Sequence, residues 1–184
     1  MNHPPIAADG RILFFRRDRP AFGFLSHFHA SPILLDGERW PTVEHYYQFH
    51  KSLDPQYRQA IRDCATPGEA KQLSASPDRS GMGAAKSWFR ANSQLPREDW
   101  MAVKRDIMRK ADRAKYDQHP DLAARLLMTG EAEIVEDSPY DDFWGVGRDG
   151  AGENWAGRIL MEVRAALRAN QYGLTREAGI GGSG

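Results

Sequence analysis

The sequence predicts a mostly helical α+β fold, a single compact domain with a few short strands. Three observations predict it. Apolar residues recur at helical spacing in three stretches, with charges between them: Trp100, Val103, Ile107, Met108 and Ala111; Leu122, Leu126 and Leu127; Ile159, Leu160, Val163 and Leu167. Strand signals are short and few. The chain has 184 residues, 41% hydrophobic and 27% charged, which suits one ordinary globular core.

The elements follow in order. Residues 1–10 are expected to be disordered, the domain to span 11–170, and 171–184 to form a flexible tail ending in Gly181-Gly182-Ser183-Gly184. Ile12-Leu13-Phe14-Phe15 is an apolar run that suits a buried strand. Residues 32–40 form a hairpin, because Asp36-Gly37 supplies the positive-φ pair of a type I′ turn. Thr42 then caps a helix that starts at Val43 and runs to about Lys51. A second helix follows near residues 55–64. Residues 74–96, rich in Ser, Pro, Gly and Asn, make an irregular connection with one helical turn near Ser87-Trp88-Phe89-Arg90. A long helix begins after Pro96, another opens at Pro120 and ends at Gly130, and residues 132–136 alternate like a strand. A loop rich in Asp and Gly covers 137–153, and the last helix runs from about Asn154 to Arg168.

Charge and composition narrow the function classes. Lys+Arg and Asp+Glu both number 25, so no broad basic surface holds the chain to nucleic acid, although a local basic cleft is compatible with this balance. One cysteine, Cys64, rules out an internal disulfide and a cysteine-based zinc site. No apolar run reaches the roughly 20 residues that span a bilayer. The first residues lack the basic-then-apolar order of a signal peptide, so the expected compartment is the cytoplasm, with no membrane partner. No His, Asp or Glu group has metal-ligand spacing, and neither a metal nor another cofactor is expected. The sequence sets no oligomeric state.

The helix after Thr42 carries the first chemical signal. Glu44 lies in its first turn, where unpaired N–H groups and the helix dipole favour an ionised carboxylate. Such a carboxylate suits the positive charge that develops at a sugar carbon. Glu44, Tyr47, Gln48 and Lys51 fall at i, i+3, i+4 and i+7, one polar stripe on one helix face. The stripe is either a cleft wall or a solvated surface on which Glu44 merely complements the dipole. Tyr46 and Phe49 point elsewhere and belong to the core, and His45 is read as structural or hydrogen-bonding.

Further motifs extend the pattern. Trp40-Pro41-Thr42-Val43-Glu44-His45-Tyr46-Tyr47-Gln48 resembles the signature of the NADAR family, also called YbiA-like. Phe22-Gly23-Phe24-Leu25-Ser26-His27-Phe28 resembles the family's early element, with His27 where Asn is usual. Trp100-Met101-Ala102-Val103-Lys104 and Met108-Arg109-Lys110-Ala111, closed by Lys115, resemble its long helix. Asp141-Asp142-Phe143-Trp144-Gly145 and Gly152-Glu153-Asn154-Trp155-Ala156-Gly157 resemble its glycine-containing loop, followed by Leu160-Met161 and Arg164. The resemblance covers about residues 12–168. It departs at His27, in the glycine run 146–150, and in the longer connection 74–96.

The resemblance implies a compact, mostly helical fold and N-glycosidase chemistry on ribosyl nucleotides. Two substrate classes go with it: early phosphoribosylamino-pyrimidine intermediates of riboflavin synthesis, and ADP-ribose joined to guanine in DNA or RNA, single-stranded or short. Both join ribose C1 to an exocyclic amine, so a lysine could attack C1 through a Schiff base. Lys51 is the first candidate for that amine, with Lys104 and Lys110 as weaker ones. Glu44 would move the proton, and Asp141 would be a second carboxylate, on ribose hydroxyls or on water; a local turn is its other reading. Trp100 and Trp144 would wall the base, Gly145 and Gly147 would admit a phosphate to the backbone, and Phe28, Tyr47, Gln48, Lys104 and Asn154 complete the substrate-binding set. Trp100 reads equally as core. The competing readings are a non-catalytic module that binds ADP-ribose or a related nucleotide, and a helical interaction domain.

Overall fold

The computed structural model describes residues 9–15, 21–76 and 86–180, the stretch 171–180 by backbone alone. Short strands are outnumbered by helices: β1 (Ile12–Phe14), a 3-10 turn (Gly23–Leu25), β2 (Ile33–Leu35), β3 (Glu38–Trp40), α1 (Val43–Phe49), α2 (Pro55–Arg62), α3 (Pro67–Leu73), α4 (Trp88–Ala91), α5 (Trp100–Gln118), α6 (Pro120–Met128), β4 (Ile134–Glu136) and α7 (Trp155–Ile180). This is the mostly helical α+β class that the sequence predicts. The chain divides into two compact units, His27–Lys115 and the combination of Met1–Ser26 with Tyr116–Gly184.

In the unit His27–Lys115, the hairpin β2–β3 is antiparallel, with Ile33 opposite Trp40 and Leu35 opposite Glu38. Asp36 (φ 54°) and Gly37 (φ 79°) provide the left-handed pair its tight turn needs. Lys110 donates to Asp36 Oδ1 at 2.5 Å and Tyr46 Oη donates to Asp36 Oδ2 at 2.8 Å, so the turn is tied to α5 and α1. Lys110 is thereby an exposed ion-pair partner. Asp54 caps α2 from the residue before Pro55. The helix α3 has no counterpart in the sequence reading. Its start is a capping box: the Thr66 side chain accepts from Glu69 N and the Glu69 carboxylate accepts from Thr66 N. The one expected turn in 74–96 is α4, while residues 77–85 lie outside the described set.

In the other unit, β1 and β4 pair in parallel, Ile12 with Ile134 and Phe14 with Glu136. A helix packs on this pair through buried Ile159, Leu160 and Val163 of α7. Each such side chain contributes about 1.5–3 kcal/mol when fully buried. Gly157 makes the close approach possible, since a Cβ there would overlap the Ile134 carbonyl oxygen. The buried Arg164 Nη1 donates to Thr129 Oγ1 (2.7 Å) and to the Ala132 carbonyl (2.9 Å), closing the connection from α6 to β4. The helix α7 continues to Ile180, past its expected end at Arg168 and into the segment read as a tail. No proline follows to stop it, and Gly173 weakens a helix without removing a backbone donor. The expectation of disorder in 1–10 falls mostly on residues outside the described set, as does the end of the tail at 181–184. No helix among the described residues is long and apolar enough to cross a membrane.

Candidate active site

The helix α1 is short, and all seven of its residues are buried. Its start is locally determined. Thr42 Oγ1 accepts from His45 N and lies 2.8 Å from His45 Nδ1. His45 Nε2 lies 3.3 Å from the Cys64 carbonyl, which can only accept, so Nε2 carries the proton and the Thr42 hydroxyl donates to Nδ1. Burial holds His45 below its ordinary pKa, against the raising effect of the Cys64 carbonyl. His45 is thus a neutral structural strut, as the sequence suggests.

Glu44 is 4% exposed. Its backbone N–H donates to the His27 carbonyl at 3.2 Å. Its Oε1 accepts from Gln48 Nε2 at 2.9 Å, and Oε2 makes no hydrogen bond among the described residues. Gln48 Oε1 is fully buried and has no hydrogen-bond partner there either. A buried amide oxygen left unsatisfied is costly, by about 1–3 kcal/mol. The solvated-surface reading of this stripe is therefore overturned: Glu44, Tyr47 and Gln48 are all enclosed by protein. Tyr47 meets Trp100 with ring centroids 5.0 Å apart and planes at 51°. Trp100 is buried, as its core reading expects.

Lys51 departs from the expected geometry. The helix ends at Phe49, so Lys51 stands in the turn beyond it and not one helical turn further along the stripe. Its Nζ donates to the Ser74 carbonyl at 2.6 Å and lies 5.9 Å from the centroid of Phe89. Tyr57 links the two sites: its hydroxyl donates to the Gln48 carbonyl at 2.8 Å and lies 2.8 Å from Ser74 Oγ. Lys104 is buried on α5, one turn beyond Trp100 and on the same face. Phe28 is half-buried, and Lys71 Nζ sits 5.5 Å from its ring centroid.

The remaining candidates share one loop in the other unit. Asp141 Oδ1 accepts from Phe143 N (3.1 Å) and Trp144 N (2.8 Å), the local turn that was its second reading. Trp144 is half-buried, edge-on to Phe143 at 5.1 Å. Gly145 has no room for a side chain, because a Cβ would stand 2.7 Å from the Glu136 carbonyl. Gly147 adopts φ +69°, which a residue with a Cβ takes only under strain. Asn154 Nδ2 donates to the Ile134 carbonyl and Oδ1 accepts from Glu136 N, both at 2.9 Å, so its amide braces β4. These contacts give Gly145 and Asn154 a structural reason to be where they are.

Comparison with known proteins adds to this geometry. The model of the NADAR domain matches residues 13–168. The chain belongs to the NADAR family. Among NADAR proteins, N-glycosidase YbiA of Escherichia coli is 40% identical over 156 residues, 85% of this chain and 88% of that one. The chloroplastic riboflavin biosynthesis protein PYRR of Zea mays is 35% identical over 164 residues, 85% of this chain and 25% of that protein. The NMR structure of E. coli YbiA superposes with a TM-score of 0.74 at 36% identity, covering 92% of this chain and 96% of the other.

Within this NADAR domain, sequence reasoning assigned no role to a group of buried charged residues on α5. Asp112 and Lys115 are both fully buried. Burial lowers the Lys115 amine to about 8, against the raising effect of Asp112. His27 Nε2 lies 3.0 Å from Asp112 Oδ2, while Asp112 Oδ1 has no hydrogen-bond partner among the described residues. A signal was present: Asp112 follows Met108 at i+4 and Lys115 follows Ala111 at i+4, so both fall on the apolar face of the helix. A separate cavity of 380 Å³, lined by Asp63, Cys64, Glu69, Gln72 and Lys86 among others, contains none of the sequence-predicted site residues. Among the described residues, no group of three or more His, Cys, Asp or Glu side chains could hold a metal ion.

Proposed function

We propose that the chain is an N-glycosidase that breaks the bond between ribose C1 and the exocyclic amine of a ribosyl nucleotide. The observation that carries this reading is the buried pair Glu44–Gln48, in which one carboxylate oxygen and one amide oxygen have no hydrogen-bond partner among the described residues. Both oxygens are acceptors, and the hydroxyls of a ribose are donors. The name of YbiA, matched over nearly its whole length, supports the reaction class, a hydrolase of N-glycosyl bonds.

The chemistry follows from the substrate. In a glycosylamine the nitrogen lone pair forms C1=N as the C1–O4 bond breaks, and the ring oxygen takes a proton. Glu44 is the group that carries that proton, from the amine N–H to the ring oxygen. A lysine amine then adds to C1, the base leaves as the free amine, and a lysine imine remains. Water hydrolyses the imine, giving the ribose aldehyde and restoring the lysine. Lys51 and Lys104 are the two amines proposed for this step. The desolvation of Lys104, and its place one turn from the Trp100–Tyr47 contact, favour it over the half-buried Lys51. Asp141 would steady ribose hydroxyls or water with the oxygen not used in its turn. Phe28 and Tyr47 of the one unit, and Trp144, Gly147 and Asn154 of the other, are each proposed as substrate-binding residues.

For the substrate we retain both classes: a phosphoribosylamino-pyrimidine of riboflavin synthesis, and ADP-ribosylated guanine in a short or single-stranded nucleic acid. The name of the maize relative favours the first. Incubating the protein with each and following consumption by mass spectrometry distinguishes them. Binding of either without turnover would instead favour a nucleotide-binding module. Borohydride reduction during turnover, followed by peptide mapping, identifies the lysine; a reaction that leaves no adduct argues for direct hydrolysis.

A further inference from the structure

We propose that His27 is a positioning residue for Glu44, its ring anchored on Asp112 and its carbonyl holding the backbone of the residue that carries the proton. This rests on the assignment of Glu44 above and adds to it. Three observations support it. First, Thr42 occupies the His45 N–H at the start of α1, and the neighbouring Glu44 N–H is taken by the His27 carbonyl. The place of Glu44 is therefore set by His27 as well as by the helix. Second, His27 lies in a turn outside any helix or strand, so its side-chain anchorage governs where that carbonyl stands. Third, the anchorage is strong: His27 is 6% exposed, Asp112 is fully enclosed, and their contact spans 3.0 Å. A hydrogen bond to a carboxylate away from water is among the firmer contacts a ring nitrogen makes.

Asp112 gains direction from this contact too. Lys115, one turn along α5, offsets its charge, and one carboxylate oxygen is turned to His27. The chain of contacts runs from α5 through Asp112 and His27 to the first turn of α1, all within one compact unit. A displacement of about 1 Å at a reacting group can cost on the order of 100-fold in rate.

The test uses His27→Ala, His27→Phe and His27→Gln in the full chain. Gln places an amide nitrogen near the position of Nε2, whereas Phe fills the space of the ring without one. The readouts are kcat and KM on whichever substrate is turned over, and amide hydrogen exchange at Glu44. The expected result is a loss in kcat of about 10- to 100-fold for Ala and Phe, with little change in KM. Exchange at the Glu44 amide should accelerate more than at the rest of α1, and Gln should restore both. In a Glu44→Gln background, His27→Phe should cost little more. General loosening of the fold would instead raise exchange along all of α1. Should Ala not fold, Phe and Gln carry the comparison. Unchanged kcat and unchanged Glu44 exchange in His27→Phe would overturn the proposal. If Glu44→Gln itself is fully active, the active-site assignment fails, and the exchange measurement still decides whether His27 holds Glu44.

Discussion

Gln48 Nε2 donates to Glu44 Oε1 across 2.9 Å, and the other end of the same amide, Oε1, is buried with no hydrogen-bond partner among the described residues. The first contact orients the carboxylate, and the second leaves an acceptor to be satisfied by what binds. Gln48→Leu removes both, and the expected outcome is a fall in kcat/KM of about 10- to 100-fold. Steady-state kinetics check it, and a melting curve should show a loss of about 1–3 kcal/mol, because Glu44 Oε1 stays buried and loses its donor.

The start of α1 depends on Thr42, whose hydroxyl caps the helix and serves His45 Nδ1. Thr42→Ala should destabilise the protein by about 1–2 kcal/mol, in the range of lost helix caps. Thr42→Ser should recover most of this. Urea denaturation monitored by tryptophan fluorescence reads both.

Stability should fall on mild acidification. Burial lowers the pKa of His45 and of His50, and the backbone carbonyls that each ring meets offset this only in part. With folded values below the ordinary histidine value of 6.5, these groups stay neutral in the fold while the unfolded chain takes up protons. Their contribution is fully present above pH 6.5 and is lost as the pH falls through the folded values. Thermal midpoints should decline from pH 7 towards pH 5, and His45→Gln should flatten part of that decline. A slope unaffected by His45→Gln would remove this residue from the account.

Gly157 stands where a side chain would overlap the Ile134 carbonyl and crowd the Asn154 amide. Gly157→Ala should therefore separate α7 from β4 and cost about 1–3 kcal/mol, the usual range for overpacking. A melting curve checks it, and an unchanged midpoint would mean that the contact relaxes at no cost.

The parts of this molecule governed by local rules could be read from the sequence. The Asp36-Gly37 hairpin and the Thr42 cap each depend on neighbouring residues and stand where the sequence puts them. The capping box at Thr66 and Glu69 obeys the same local logic, but the α3 sequence Pro-Gly-Glu-Ala-Lys-Gln-Leu has too few apolar residues to display a helical stripe. What distance in the chain concealed was of another kind. The parallel pairing of β1 with β4 joins residues more than a hundred positions apart, and short strands carry no code for a remote partner. The same holds for His27 and Asp112. At the candidate site, Glu44 was legible from its cap, whereas the burial of every α1 residue was not, because a seven-residue helix with Glu, His and Gln reads as amphipathic. Lys51 failed the stripe because the helix ended two residues early.

The central claim is that Glu44 moves the proton in N-glycosidic cleavage, and Glu44→Gln tests it most directly. This variant keeps the shape and removes the charge, so single-turnover release of the amine-bearing base can be measured beside a melting curve that reports folding. The account predicts a folded protein whose release slows by about 100- to 10,000-fold, the range for a lost general acid or base. A folded Glu44→Gln protein that releases the base at the unmodified rate would contradict it.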